Sequence, residues 1–147
     1  MNTNFFGWAR AVFNAALALV LTSSMLDAID RNNRFFAYGV GHRSCEDYVK
    51  FRERRLETLQ QEYPRYTKDE LYDIVNRIIE QWIAGFITAH NLYVSDTYDI
   101  AGKSNMDDLK GRLEKICRAN PNQRFAEAII AVVEQLNTQR VKASGGK

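Results

Sequence analysis

The feature that most constrains this chain is an uncharged run at residues 81–91, Q-W-I-A-G-F-I-T-A-H-N, lying between the only two cysteines, Cys45 and Cys117. It closes a longer apolar series: Leu71, Ile74, Val75, Ile78, Ile79, Trp82, Ile83, Phe86 and Ile87. Steps of three and four residues place such a series along one side of an α-helix. The pattern predicts a central helix over 68–90, buried on most sides near its end. Thr67-Lys68-Asp69-Glu70 supplies the start, because Thr67 can cap the helix while Glu70 reaches back to it. Gly85 costs about 1 kcal/mol relative to alanine inside a helix. Its presence predicts close approach of another backbone, beside the cysteines.

The N-terminus carries a different signal. Residues 1–10 hold one positive charge and no acid, residues 11–21 are an apolar run, and Thr22, Ser23, Ser24 and Ala28 follow. That order predicts a secretory signal peptide over 1–28, cleaved after Ser24 or Ala28. A membrane span needs roughly 20 apolar residues. Reading residues 5–26 as an uncleaved anchor instead would leave Arg10 and Asn14 in or near the bilayer, with the protein held at the inner membrane and facing the periplasm. Export changes the meaning of the cysteines, since an oxidising compartment favours a disulfide. A Cys45–Cys117 bond would close a loop of roughly 70 residues and contribute at most about 4 kcal/mol by chain entropy. A pair of buried free thiols stays open as the alternative.

Residues 29–43 read as an extended arm. Gly39 and Gly41 argue against a helix there, and Phe35, Phe36, Tyr38 and Val40 are expected to pack onto the domain or to meet a partner. Ser44 is a good N-cap, with Glu46 and Asp47 in the first turn. Cys45, Tyr48, Val49, Leu56 and Leu59 share one face, so one helix is expected up to Tyr63-Pro64, where proline disfavours helix in the preceding residue. The charged run over 50–62 is either a solvated face or a partner surface, with Arg52 and Arg55 as its candidate contacts. Trp82, Ile83 and Phe86 are the candidate apolar contacts.

Residues 91–104 form the longest irregular stretch, with Tyr93, Tyr98 and Ile100 expected to anchor it. Ser104 or Asn105 starts the next helix, whose apolar face is Met106, Leu109, Leu113, Ile116 and Cys117, ending at Asn120. Pro121 suits the first position of the last helix, with Phe125, Ala126, Ala128, Ile129, Val132, Val133 and Leu136 as its buried stripe. The tail over 139–147 is expected to be disordered. No segment alternates as a strand does. The expected fold is therefore all-α, a small bundle of about four helices over 44–138 with one disulfide, preceded by a cleavable apolar helix.

Reactive groups are sparse. His42 and His90 have no metal-ligand spacing to each other or to a cysteine, and Asp96 and Asp99 lack the acids and glycine of a calcium loop. No phosphate loop, serine elbow or zinc-protease motif occurs. The expectation is a non-enzymatic protein with no catalytic residues, no metal and no cofactor. Its 20 Lys and Arg are interleaved with 18 Asp and Glu for a net charge of +2, which implies no nucleic-acid partner. A protein partner or client is expected, a membrane contact only through an uncleaved N-terminus, and a homodimer stays open.

Ser44-Cys45-Glu46-Asp47-Tyr48-Val49 resembles the T-C-E-D-F-L type segment of the HdeA/HdeB family of small periplasmic acid-stress chaperones. Gly85-Phe86 with Ala89 and Asn91, Asp99-Ile100-Ala101-Gly102, and the place of Cys117 are similar to that family's later landmarks. Residues 50–79 are a departure, with far more helix than that family has between its first cysteine and its G-F segment. Small disulfide-bonded immunity proteins of type VI secretion look similar at this level. The resemblance implies a secreted all-α domain with the two cysteines bonded. A chaperone would work by opening in acid: with every carboxylate neutral, the 20 Lys and Arg and 2 His bring the charge to about +22, a self-repulsion that loosens compact states. An immunity or inhibitor protein would instead bind while folded, using the charged segment as a recognition surface.

Overall fold

The computed structural model describes residues 35–142. The expected signal peptide, the arm up to residue 34 and the tail beyond 142 lie outside the described residues. The described part is an all-α bundle: α1 (Cys45–Arg52), α2 (Glu57–Glu62), α3 (Lys68–Tyr93), α4 (Met106–Ala119) and α5 (Phe125–Leu136), with 3₁₀ turns at Gly39–His42 and Asn137–Gln139. Among the described residues there is no strand, only isolated bridges between Ser44 and Arg124 and between Asp99 and Val141.

Cys45 and Cys117 are bonded, with Cα atoms 4.7 Å apart, and both are fully buried. The bond joins the first residue of α1 to the last turn of α4. Around it α1, α4 and α5 build the core from Tyr48, Phe51, Leu109, Leu113, Phe125, Ile129 and Val132, with Ile79 and Ile83 arriving from α3. The bond indicates an oxidising, exported compartment. No helix among the described residues is long and apolar enough to cross a membrane.

The charged segment forms two helices where one was expected. Arg54 N–H donates to Phe51 O at 2.8 Å and Arg55 N–H to Lys50 O at 2.8 Å. With Arg54 in the left-handed region at φ 56°, this is the hydrogen-bond pattern of a Schellman helix end. Glycine usually occupies that position, because a Cβ is disfavoured there. Here Arg54 is held by Asp69 at 2.9 Å and by the Tyr72 ring, 4.3 Å from its guanidinium. The stop lets Leu56 turn into the core.

The last helix starts at Phe125 rather than at Pro121. Residues 121–124 form a turn whose carbonyls cap α1: Cys45 N–H donates to Gln123 O at 2.8 Å and Glu46 N–H to Pro121 O at 2.9 Å. Those N–H groups have no partner within their own helix. Arg124 is the N-cap of α5, paired with Glu127.

Other expectations shift in the same way. The Thr67–Glu70 capping box is present, but α3 is buried only along Leu71, Ile79 and Ile83, and a Cβ placed on Gly85 would meet nothing within 4 Å. Among the described residues, no neighbouring backbone of the predicted kind lies at Gly85. Residues 91–93, expected to be irregular, are the last of α3; Ile100 of the 94–104 loop is buried, while Tyr93 and Tyr98 face solvent. Asn91 holds this loop, accepting from Ile100 N–H at 2.9 Å. Val141 N–H donates to Asp99 O at 2.8 Å, so the start of the expected tail is paired to the bundle. The packed unit thus runs past the expected limits of 44 and 138, with Ala37 buried at its other end.

Opening the Cys45–Cys117 bond, by reduction or by paired serine substitution, should lower unfolding free energy by about 4 kcal/mol. Urea unfolding followed by Trp fluorescence measures it.

Candidate functional site

A groove of about 410 Å³ opens between the Gly39–His42 turn, α1 and α2. Val40, Phe51, Leu56, Leu59, Ile79 and Phe125 give it apolar walls, and Arg43, Lys50 and Arg55 stand around it with Asp47 and Glu62. The local fold explains this lining. The left-handed stop at Arg54 swings α2 away from the line of α1, so that the two short helices form two sides. The 3₁₀ turn forms a third, pinned where Trp82 Nε1 donates to Tyr38 O at 3.0 Å. Gly41 lies against the Trp82 ring, where an added Cβ would overlap the indole. Residues 39–42 are therefore a turn rather than an extended arm. Ala37 and Gly41 are buried, whereas Phe36 and Tyr38 are exposed, stacked edge-on at 4.9 Å between centroids.

The charges around the groove differ in freedom. Lys50 pairs with Glu46 at 2.7 Å and Arg55 with Glu53 at 2.6 Å. The Arg43 side chain makes no ion pair among the described residues, while its carbonyl accepts from Phe125 N–H at 2.9 Å. Arg43 is thus a cation fixed by its backbone and available at its tip.

The residues singled out in the sequence separate in the structure. Of Arg52, Arg55, Trp82, Ile83 and Phe86, only Arg55 lines the groove. Arg52 is half-buried against Glu114 at 3.2 Å, where Arg118 also holds Glu114 at 2.7 Å. Arg52 therefore ties α1 to α4. Ile83 is wholly buried and offers nothing to a partner in the folded state. Trp82 and Phe86 are half-buried, stacked at 5.7 Å, with Trp82 edge-on to Phe125 at 5.4 Å. They support the groove from behind.

A second polar centre has only a partial signal in the sequence. Lys110 is buried on α4, and its ammonium meets Glu80 of α3 at 2.5 Å and Asp107 at 2.9 Å. Burial alone would pull the ammonium's pKa down, but the hydrogen bonds to Glu80 and Asp107 outweigh it and hold it above its usual range. The Lys110 hydrogen bond holds the Glu80 carboxyl below its ordinary 4.5, against the opposing effect of burial. Beside it, the Tyr48 hydroxyl donates to Lys110 O at 3.2 Å, and burial pushes the pKa of that phenol up. This centre is a clamp between α3 and α4. Only the i,i+3 spacing of Asp107 and Lys110 was visible in the sequence; the partner thirty residues away was not.

Among the described residues, candidate reactive side chains are engaged in local structure. Ser44 Oγ accepts from Asp47 N–H at 3.1 Å as a helix cap, and Asp99 Oδ1 accepts from Ala101 N–H at 3.0 Å within its own turn. His42 stacks on Phe36 at 5.9 Å, and burial lowers the pKa of His90. Among the described residues no three His, Cys, Asp or Glu are grouped to hold a metal ion. Fold and site together define a disulfide-stapled all-α domain with a preformed surface groove. Compared with known protein families, curated proteins and solved structures, the chain matches none.

Glu80 contributes stability that is full above its ordinary value of 4.5 and is lost as pH falls through its lowered folded value. Glu80→Gln should cost about 2 kcal/mol at pH 7, because it leaves the Lys110 charge with weaker partners. It should also flatten the fall in stability below pH 5. Lys110→Met, which removes the buried charge itself, should cost less. Urea midpoints from pH 7 to pH 3 check both.

Proposed function

We propose that this chain is an exported, non-enzymatic binding protein of the periplasm, whose folded groove takes a surface loop of a protein partner. The observation that carries the reading is the groove itself, apolar within and bordered by Arg43, Lys50 and Arg55. A loop offering an apolar side chain beside a carboxylate would fill it, burying carbon against Phe51, Leu56 and Leu59 while pairing with Arg43. The disulfide supports this reading, because a locked α1 keeps the groove in shape before binding and reduces the ordering cost of association. Export supports it as well, through the order of charge, apolar run and small residues over 1–28. An immunity or inhibitor protein that caps an exported toxin or enzyme works in this way. No cofactor enters the mechanism.

A second reading, an acid-stress chaperone of the HdeA/HdeB kind, is favoured by the Glu80–Lys110–Asp107 clamp. Carboxylates that cross-link helices in this domain, Glu80 and Glu114 among them, are held below their ordinary 4.5 by hydrogen bonds from basic side chains. Protonating them removes the ties of α3 and α1 to α4. The buried side of α3, with Ile79, Ile83 and Trp82, would then become available to clients.

Envelope extract at pH 7 should yield a stoichiometric complex with the intact protein, weakened at least tenfold by Arg43→Glu combined with Arg55→Glu. Equal retention by both forms would sink the groove reading. Suppression of client aggregation at pH 3, without a complex at pH 7, would transfer the function to the chaperone reading.

A further inference from the structure

Gly85 has no role inside the described fold. It sits mid-helix in α3, exposed, and an added Cβ would meet nothing within 4 Å. Glycine in that position weakens a helix, and no tight turn, positive φ or packed neighbour accounts for it. Its surroundings on the outer face of α3 have a definite pattern. Ile74, Ile78, Gln81, Gly85, Thr88 and Leu92 recur at steps of four and three, the a/d spacing of a helix–helix seam. All six are exposed, Ile78 at 48% and Leu92 at 73%. From residue 81 to the helix end at Tyr93 there is no Asp, Glu, Lys or Arg, in a chain that is 26% charged.

We propose that this outer face of α3 binds a second copy of the chain, with the two α3 helices crossing antiparallel at Gly85. The face is self-complementary about that residue. A two-fold axis through Gly85 sets residue i opposite residue 170 − i. Ile78 then meets the partner's Leu92, each about 10 Å along the helix from the crossing. Arg77 and Tyr93, which is 87% exposed, flank the contact on its two sides. Small groups fill the centre, since Ala84, Gly85, Thr88 and Ala89 let the backbones approach closely. No charged side chain lies within the central part of the contact, as the core of an interface requires.

The area is also sufficient. An aromatic side chain supplies about 150–250 Å². Tyr93, Leu92, Ile78 and the small residues together present on the order of 500 Å² per copy, the size of a weak, reversible interface. The groove lies on residues of α1, α2 and the Gly39–His42 turn, and it shares only α3's Ile79 with this helix. The pairing therefore does not depend on the proposed groove function, and either can fail without the other.

Sedimentation velocity of the intact protein across 1–100 µM should show a reversible dimer, weakened at least tenfold by Gly85→Leu. Gly85→Cys, on mild oxidation, should form a disulfide-linked dimer far faster than Lys115→Cys on the exposed side of α4, because only a crossing at Gly85 brings two Cα atoms within about 7 Å. Circular dichroism confirms folding of each variant. A monomer throughout that range overturns the proposal. So does a dimer indifferent to Gly85→Leu, or cross-linking no faster at residue 85 than at residue 115. Protection of the α3 face by a different protein, with the free chain monomeric, overturns it too.

Discussion

Everything in this bundle hangs on how the first turn of α1 is held. The Cys45 sulfur is bonded to α4, its N–H is taken by Gln123 O, and the next N–H is taken by Pro121 O. A covalent bond and two hydrogen bonds thus converge on the start of a helix only eight residues long. A helix of that length has little stability of its own in water. Docked in this way it can present Tyr48 and Phe51 to the core while Phe51 also forms a wall of the groove. The same turn positions Phe125, which closes the groove's inner wall and receives the Trp82 edge.

α3 is attached by different means. It is the longest element at 26 residues, yet it enters the core along one stripe only. Its fastenings are Ile79 and Ile83 within, Trp82 against the Gly39–His42 turn, and the Glu80–Lys110 pair. A partly buried ion pair is a demanding fastening, because its gain is offset by desolvation and it fails if either partner loses charge. One side of the domain is therefore secured covalently and the other partly by electrostatics. That asymmetry makes two kinds of function physically reasonable for one fold: recognition on the secured side and pH response on the other.

Much of the fold was legible in the sequence, for reasons that can be named. The periodicity of α3, α4 and α5, the Thr67–Glu70 box and the Ser44 cap are local signals, and local signals survive folding. The cysteine pair was legible because there were only two. What escaped notice was set by tertiary contacts. Arg54 takes a conformation normally reserved for glycine because Asp69 and Tyr72 support it from α3. Pro121 gives up a helix start because α1 needs its carbonyl. Of the candidate contacts, Ile83 and Arg52 turned inward, since an apolar stripe or a charge run does not state which of its members faces the core. The groove draws its lining from residues 40 to 125, so no window of sequence could show it.

The capping of α1 by residues 121–123 also sets an order of events. The earliest helix of the domain cannot be completed until some 80 later residues exist, since its sulfur partner is Cys117 and its carbonyl partners come after that. Contacts of such long sequence separation form late. In a growing chain of this kind the bundle stays open, and free to pass a narrow channel, until the last helix has emerged. Threadability of the nascent chain and stability of the finished one are thereby separated in time, by the placement of one cysteine near each end of the domain.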